Sequence, residues 1–297
     1  MERSNIHLYG LPDVRNQRPE RPLNVVFLTS VRDVGVSDLN GSIVETRNGR
    51  RYMEGAVERV VREMGLGGRL EGLVNLAGVI TDDMGRDLDQ TIYPALPGGE
   101  GEWIFPRNLR RPDGVLVGDL TSNIPSDFRG LHSKDFFGRR RLKLAFEEAV
   151  FNKFNQLGGD VLISDHYMAQ VDHLYDVPEM RGRVLNIHPA VTMKDHPFSF
   201  TGKTPTADAI EYARSNGFTR TGATLHFIGP VIDAGPIIAF NNETPVHPDD
   251  DPQWLRHRNY TLGKLPVLVE GLVHYVQNIY PNLHRADLSN LKPVGRS

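Results

Sequence analysis

Short apolar runs rich in β-branched residues alternate along this chain with stretches whose apolar residues recur every three or four positions. Residues 24–30 (N-V-V-F-L-T-S) read as a buried parallel strand, because both of its faces are apolar. Residues 51–64 set Met53, Ala56 or Val57, Val60 or Val61, and Met64 at helical spacing, which predicts an amphipathic helix. Residues 70–77 read as a second strand. Further on, Leu142, Ala145, Phe146, Ala149, Val150, Phe154 and Leu157 fall on one face of a helix over 141–157. Residues 160–164, 183–187, 224–228 and 236–240 are strand candidates, and 207–215 is a short helix. Asp251 before Pro252 supplies an N-cap with a first-turn proline, opening a helix toward Arg258. Residues 265–279 carry another apolar helical pattern. Strands alternating with helices predict an α/β fold with an open, mainly parallel sheet and helices on both faces.

Three segments depart from the alternation. Residues 1–23 carry Gly10, Pro12, Pro19 and Pro22 among many charges and read as an irregular arm, packed on a neighbour and so compatible with a homodimer. Residues 82–135 read as a long insertion with strand-like pieces at 103–105 and 115–117. Residues 281–297 read as a tail. The expected organisation is therefore an arm (1–23), one catalytic domain (24–280, insertion 82–135) and a tail (281–297).

Composition removes several chemistries. The 297 residues include no cysteine, so disulfides, thiolate nucleophiles and Cys-ligated metal sites are excluded. Lys+Arg of 34 against Asp+Glu of 37 gives a formal charge of −3, with no basic excess for a nucleic acid. No apolar run is long enough for a membrane helix, and the first residues lack a signal-peptide pattern, so a cytoplasmic location is expected.

The chemistry-bearing stretch runs from Asn186 to Phe240. Asn186-Ile187-His188-Pro189 closes a predicted strand, and alternation sends Asn186 and His188 to the same side. In open α/β sheets, sites lie at the carboxyl ends of strands. An amide and an imidazole there can together bind a developing oxyanion and pass a proton. Asp233 follows in a Gly- and Pro-bounded loop, where a carboxylate can orient His188. Asp233 alone would read as an ordinary turn residue, and His226, mid-strand, reads as structural.

N-I-H-P at 186–189, G-A-T-L-H-F at 222–227 and D-A-G-P-I-I at 233–238 together resemble the folate-dependent formyltransferase family, whose members include glycinamide ribonucleotide and methionyl-tRNA formyltransferases and amino-sugar formyltransferases. The resemblance is specific from about 136 to 280 and looser from 24 to 81. It implies the Rossmann-like formyltransferase fold and 10-formyltetrahydrofolate as cosubstrate, with no metal. It implies catalytic roles for Asn186, His188 and Asp233: the first two on the oxyanion, Asp233 holding His188 and helping carry the proton. It implies that Met168, Ala169, Gln170 and Val171, with Ile232, Ala234 and Gly235, frame the pteridine.

The departures bear on the acceptor. The family's His-Pro turn usually continues S-L-L-P and soon reaches a Gly, whereas here 190–198 reads A-V-T-M-K-D-H-P-F and the Gly waits until Gly202. The ribonucleotide enzyme's phosphate loop has glycines where 29–34 reads T-S-V-R-D-V, and its late acidic residue aligns with Thr261. The tail is too short for the tRNA enzyme's second domain. By elimination, the acceptor is expected to be an amine or hydroxylamine, a small molecule of specialised metabolism. Water as acceptor (a formyltetrahydrofolate hydrolase), glycinamide ribonucleotide, or a non-catalytic folate binder are the alternatives. Trp103, Phe105, Phe198 and Phe200 read equally as an acceptor wall or as packing. Asp165-His166 and Asp172-His173 offer metal-ligand types seven apart, a minor reading, and His247-Pro248-Asp249-Asp250 is followed by no His-x-x-His to complete a metal site and reads better as helix-capping charge. Arg139-Arg140-Arg141 reads as a solvated helix face or as a contact for an anionic group on the substrate or the folate glutamate tail.

Overall fold

The computed structural model describes residues 5–11, 18–30, 41–82, 105–167, 170–202, 204–284 and 287–294. Its strands are β1 (His7–Gly10), β2 (Leu23–Thr29), β3 (Ser42–Thr46), β4 (Gly49–Met53), β5 (Val74–Thr81), β6 (Thr121–Asn123), β7 (Val161–Ser164), β8 (Val184–His188), β9 (Thr219–Phe227), β10 (Ile237–Val246) and β11 (Lys292–Pro293). Its helices are α1 (Ala56–Glu63), α2 (Phe136–Gln156), α3 (Pro205–Asn216), α4 (Pro252–Asn259) and α5 (Leu265–His274). One nine-stranded sheet has the order β11-β1-β10-β9-β8-β7-β2-β5-β6. The strands from β6 to β8 pair in parallel, and those from β8 to β11 antiparallel.

Apolar residues on both faces of the parallel strands divide the core in two. Val25 and Phe27 of β2 join Ile163, Leu185 and the buried faces of α1 and α5. Their neighbours Val26 and Leu28 point the other way, toward Leu162 and Phe146, Val150 and Phe154 of α2. The expected α/β sheet with helices on both faces is thus present.

Several local readings are corrected. Residues 51–53 belong to β4, not to a helix: they pair with β3, and α1 begins only after Gly55. The strand expected at 70–77 begins four residues later, after a turn in which Leu70 is buried. His7–Gly10 is a sheet strand rather than irregular arm, registered against Phe240 and Ala239 of β10. The described part of the insertion is woven into the fold: β6 extends the sheet, Phe105 and Val117 enter one core and Phe128 the other. Trp103 lies outside the described residues. On α2, Ala145 faces solvent while Glu147 is buried. Asp251 caps α4 as expected, its carboxylate accepting the Trp254 N–H at 3.1 Å. Helix α4 runs through a π-turn at Tyr260–Lys264 directly into α5.

Candidate active site

Strand β8 is the seam of the sheet: it pairs in parallel with β7 and antiparallel with β9. Asn186 therefore stands directly opposite His226, and the Asn186 Nδ2 lies 3.1 Å from His226 Nε2. His226 Nδ1 donates to the Phe227 carbonyl at 2.8 Å, which leaves Nε2 to accept the Asn186 amide. Burial of His226 drives its pKa down to about 4 and keeps that acceptor neutral.

Two residues on, His188 Nε2 donates to the Phe200 carbonyl at 3.0 Å. Its Nδ1 faces Asp233 Oδ1 at 3.5 Å. Asp233 sits in the β9–β10 turn at φ 54, a left-handed conformation that Asp tolerates better than most residues. Gly202 N donates to its Oδ2 at 2.9 Å, so the delayed glycine of the rebuilt 190–201 loop still reaches the site. Asn186 Nδ2 lies 3.4 Å from Asp233 Oδ1 and His226 Nε2 lies 3.8 Å from it. With His188 neutral, an imidazole lone pair confronts the carboxylate. One proton placed between them turns that contact into a hydrogen bond, so the pair can take up and return a proton. Burial lowers the His188 pKa against the opposing pull of Asp233 and the Phe200 carbonyl, and the charge of Lys264 adds to the lowering.

These groups form one wall of a cavity of about 480 Å3. The other wall is a cluster the sequence reading did not find. Lys264 is completely buried; its ammonium donates to Asp165 Oδ1, to the Tyr260 hydroxyl at 3.0 Å, and lies 3.2 Å from His166 Nε2. His166 Nε2 also contacts the Tyr260 hydroxyl, and the His166 backbone is left-handed at φ 57. Burial pulls the Lys264 pKa down, but Asp165 and Tyr260 outweigh it and the net shift is upward. The π-turn brings Tyr260 and Lys264 to the cavity. Asp165 and His166 are thus paired within the protein, and Asp172 is paired with Lys143 at 2.5 Å. A second missed residue is Glu147, buried on α2, whose carboxylate accepts the N–H groups of Asp172, His173 and Leu174 at 2.7–3.0 Å. Its signal was a carboxylate beside Phe146 and Val150 on the apolar face.

Of the other candidate positions, Gln170, Val171 and Ile232 line the cavity. Ala234 and Gly235 are not among its lining residues; a Cβ on Gly235 would meet the Phe227 carbonyl oxygen at 1.7 Å, so that position requires glycine for close packing. Met168 and Ala169 lie outside the described residues. Phe105 is core, and Phe198 and Phe200 pack with Ala209 and Ile210 of α3, so none of the three forms a cavity wall. The Tyr167 hydroxyl is buried with no hydrogen-bond partner among the described residues, and the Tyr167 ring stacks on Phe146 of α2. The volume lies within the range of small-molecule and cofactor sites.

Comparison with known proteins bears on the family of the chain. The formyl transferase family model matches residues 122–271. A solved structure of PvdF of pyoverdin biosynthesis, a structurally unique N10-formyltetrahydrofolate-dependent formyltransferase, superposes with a TM-score of 0.72 at 26% identity, over 86% of this chain and 100% of that one. A phosphoribosylglycinamide formyltransferase from Mycobacterium tuberculosis (strain CDC 1551 / Oshkosh) is 39% identical over 77 residues, 26% of this chain and 31% of the relative. A formyltetrahydrofolate deformylase from Corynebacterium sp. (strain P-1) is 34% identical over 96 residues, 31% of this chain. The matched stretches span only 27%, 13% and 29% of the lengths of three such curated relatives.

Proposed function

This chain belongs to the formyl transferase family, and from that premise we propose that it is an N-formyltransferase moving the formyl group of 10-formyltetrahydrofolate to a small amine or hydroxylamine of specialised metabolism. The observation that carries the reading is the convergence of Asn186, His188 and Asp233 on one cavity. The matched family segment, 122–271, contains all three.

When bound, the cosubstrate supplies an activated formyl carbon. Asn186, fixed by His226, offers an N–H to the oxygen of the reacting carbonyl as charge develops there. His188, anchored through Nε2 to Phe200, keeps Nδ1 and Asp233 Oδ1 as the paired proton acceptor for the attacking nitrogen. The same pair returns that proton to the departing nitrogen. Gln170, Val171 and Ile232, together with Met168, Ala169, Ala234 and Gly235 on the strength of the resemblance, hold the pteridine. The acceptor enters past the rebuilt 190–201 loop. We further propose residues 24–280 as one catalytic domain working as a homodimer, which light scattering against the 33.3 kDa chain mass tests directly.

The test is a mass-spectrometric screen of amines and hydroxylamines with 10-formyltetrahydrofolate. A gain of one formyl group on an acceptor, at a rate above formate release, is expected. Formate release at the same rate with no acceptor present would replace the transferase reading with the hydrolase one. No helix among the described residues is long and apolar enough to cross a membrane.

A further inference from the structure

Every proton of the Lys264 ammonium is engaged inside the protein. It points to Asp165 Oδ1, to the Tyr260 hydroxyl at 3.0 Å and to His166 Nε2 at 3.2 Å, and an ammonium has three donors in all. None is left for a bound molecule, so this charge acts on one only through its field. The pair is asymmetric about the cavity. Lys264, Tyr260 and His166 line it, whereas Asp165 does not, so the cation stands on the cavity side of its counter-ion.

The setting gives that field weight. Lys264 and Asp165 are both buried, and solvent screens a buried charge far less than an exposed one. Arg256 also lines the cavity, but it is half-buried and its charge is correspondingly more screened. Asp233 is the one carboxylate on the lining among the described residues. A buried ion pair adds little net stability over an apolar pair of the same volume. Stability alone therefore does not account for an ammonium at this wall.

His188 is where the field meets the chemistry. Facing it are Asp233 from the β9–β10 turn, the neutral His226 of β9, the Phe200 carbonyl from the 190–201 loop, and Lys264 from the π-turn. Asp233 and the Phe200 carbonyl favour the imidazolium; burial and the Lys264 charge oppose it. An imidazolium formed before the acceptor arrives could not take a proton from the attacking nitrogen.

We propose that Lys264 is a positioning residue for formyl transfer: its fixed charge keeps His188 in the proton-accepting form beside Asp233 and favours the negative charge that develops on the reacting carbonyl oxygen. The proposal rests on the formyltransferase reading of the site. Lys264 itself exchanges no proton. Asp165, Tyr260 and His166 hold the ammonium in place while the proton moves between His188, Asp233 and the two nitrogens.

The experiment compares the wild-type protein with Lys264→Met and with Asp165→Asn/Lys264→Met, in which the stranded carboxylate is removed as well. Thermal melts across the pH range show where each sample is folded. The readouts are an NMR titration of the His188 side chain, identified by its loss in His188→Gln, and the pH dependence of kcat/KM and kcat with 10-formyltetrahydrofolate and the acceptor found in the mass-spectrometric screen. In the double variant the His188 titration and the acidic limb of kcat/KM should both move up by about half a pH unit. Plateau kcat should fall several-fold, up to about tenfold, well short of the loss on removing a proton carrier. Lys264→Met, where folded, should shift the limb at least as far, because Asp165 has lost its counter-ion. An unmoved limb and an unmoved His188 titration in the folded double variant would overturn the proposal and leave Lys264 a purely structural residue. So would a raised KM for the acceptor with the limb unmoved, which would make Lys264 a binding residue. Failure of the formyltransferase reading has a different signature: the wild type transfers no formyl group, while the His188 titration, which needs no substrate, still reports whether the Lys264 field reaches it.

Discussion

The two walls of the cavity are built on opposite principles. On the β8–β9 wall, Asp233 meets Asn186, His188 and His226 only at 3.4, 3.5 and 3.8 Å. These are loose contacts between polar side chains, longer than ordinary hydrogen bonds. On the π-turn wall, the Lys264 ammonium is enclosed by Asp165, Tyr260 and His166 at ordinary or short hydrogen-bonding distances. Both walls carry a left-handed non-glycine residue, Asp233 on one and His166 on the other. The difference teaches that burial and strain alone do not mark a reactive group. In the proposed mechanism the reactive groups are the loosely held ones, whereas the fully paired Lys264 charge is a framework.

The sharpest way to break this comparison is to remove one member from each wall. His188→Gln should lower kcat by roughly 1,000- to 10,000-fold while moving the melting temperature little, because the proton carrier is lost but most of the buried side-chain volume is kept. Steady-state kinetics and a thermal melt on the same sample check both halves. A comparable loss of stability in this variant would erase the distinction between the walls.

Lys264→Met should behave in reverse. It strands the Asp165 carboxylate in the interior and should cost about 3–5 kcal/mol of unfolding free energy. The double variant Asp165→Asn/Lys264→Met should recover a substantial part, since it removes the uncompensated charge. Urea denaturation of the wild type, single and double variants gives the comparison.

His226 sharpens the picture through pH. Its folded pKa of about 4 lies below the ordinary value of 6.5. The unfolded chain therefore binds a proton at mildly acidic pH that the folded chain does not. Its stabilising contribution is complete above about pH 6.5 and is lost as pH falls toward 4, on the order of 3 kcal/mol in all. A His226→Gln variant should show a correspondingly flatter stability–pH curve over that window. Parallel curves for variant and wild type would refute the assignment of His226 as a buried neutral acceptor.

The smallest effect lies outside both walls. Asp251→Ala removes the cap of the helix that leads into the π-turn and should cost about 1 kcal/mol. Activity per folded molecule should be preserved, since Asp251 does not line the cavity.

Much of this architecture is legible in the amino-acid sequence. The apolar runs at 24–30, 160–164 and 183–187 announced the parallel strands because burial on both faces leaves no polar alternation. Asn186, His188 and Asp233 were legible through their order and motif, and all three line the cavity. Other readings failed for stated physical reasons. Residues 51–53 satisfied a helical spacing, but pairing with Ser42–Thr46 outweighed it. His7–Gly10 has no strong strand pattern and becomes a strand because β10 offers it an edge. His226 was read as structural; it is buried, and it also orients Asn186 across the β8–β9 ladder.

What the sequence alone determined were properties carried by near neighbours: strand and helix periodicity, the Asp251 cap, and the motifs at strand ends. What only the tertiary structure decided were partnerships between distant residues. Asp165 and Lys264 are 99 positions apart, and nothing local to either says that a buried carboxylate will meet a buried ammonium. Glu147 likewise reveals its role only when the 172–174 backbone is brought against α2. The physical reason is that periodicity reports which face of an element is apolar, whereas the cost of burying a charge is settled only by the partner that the completed fold places beside it.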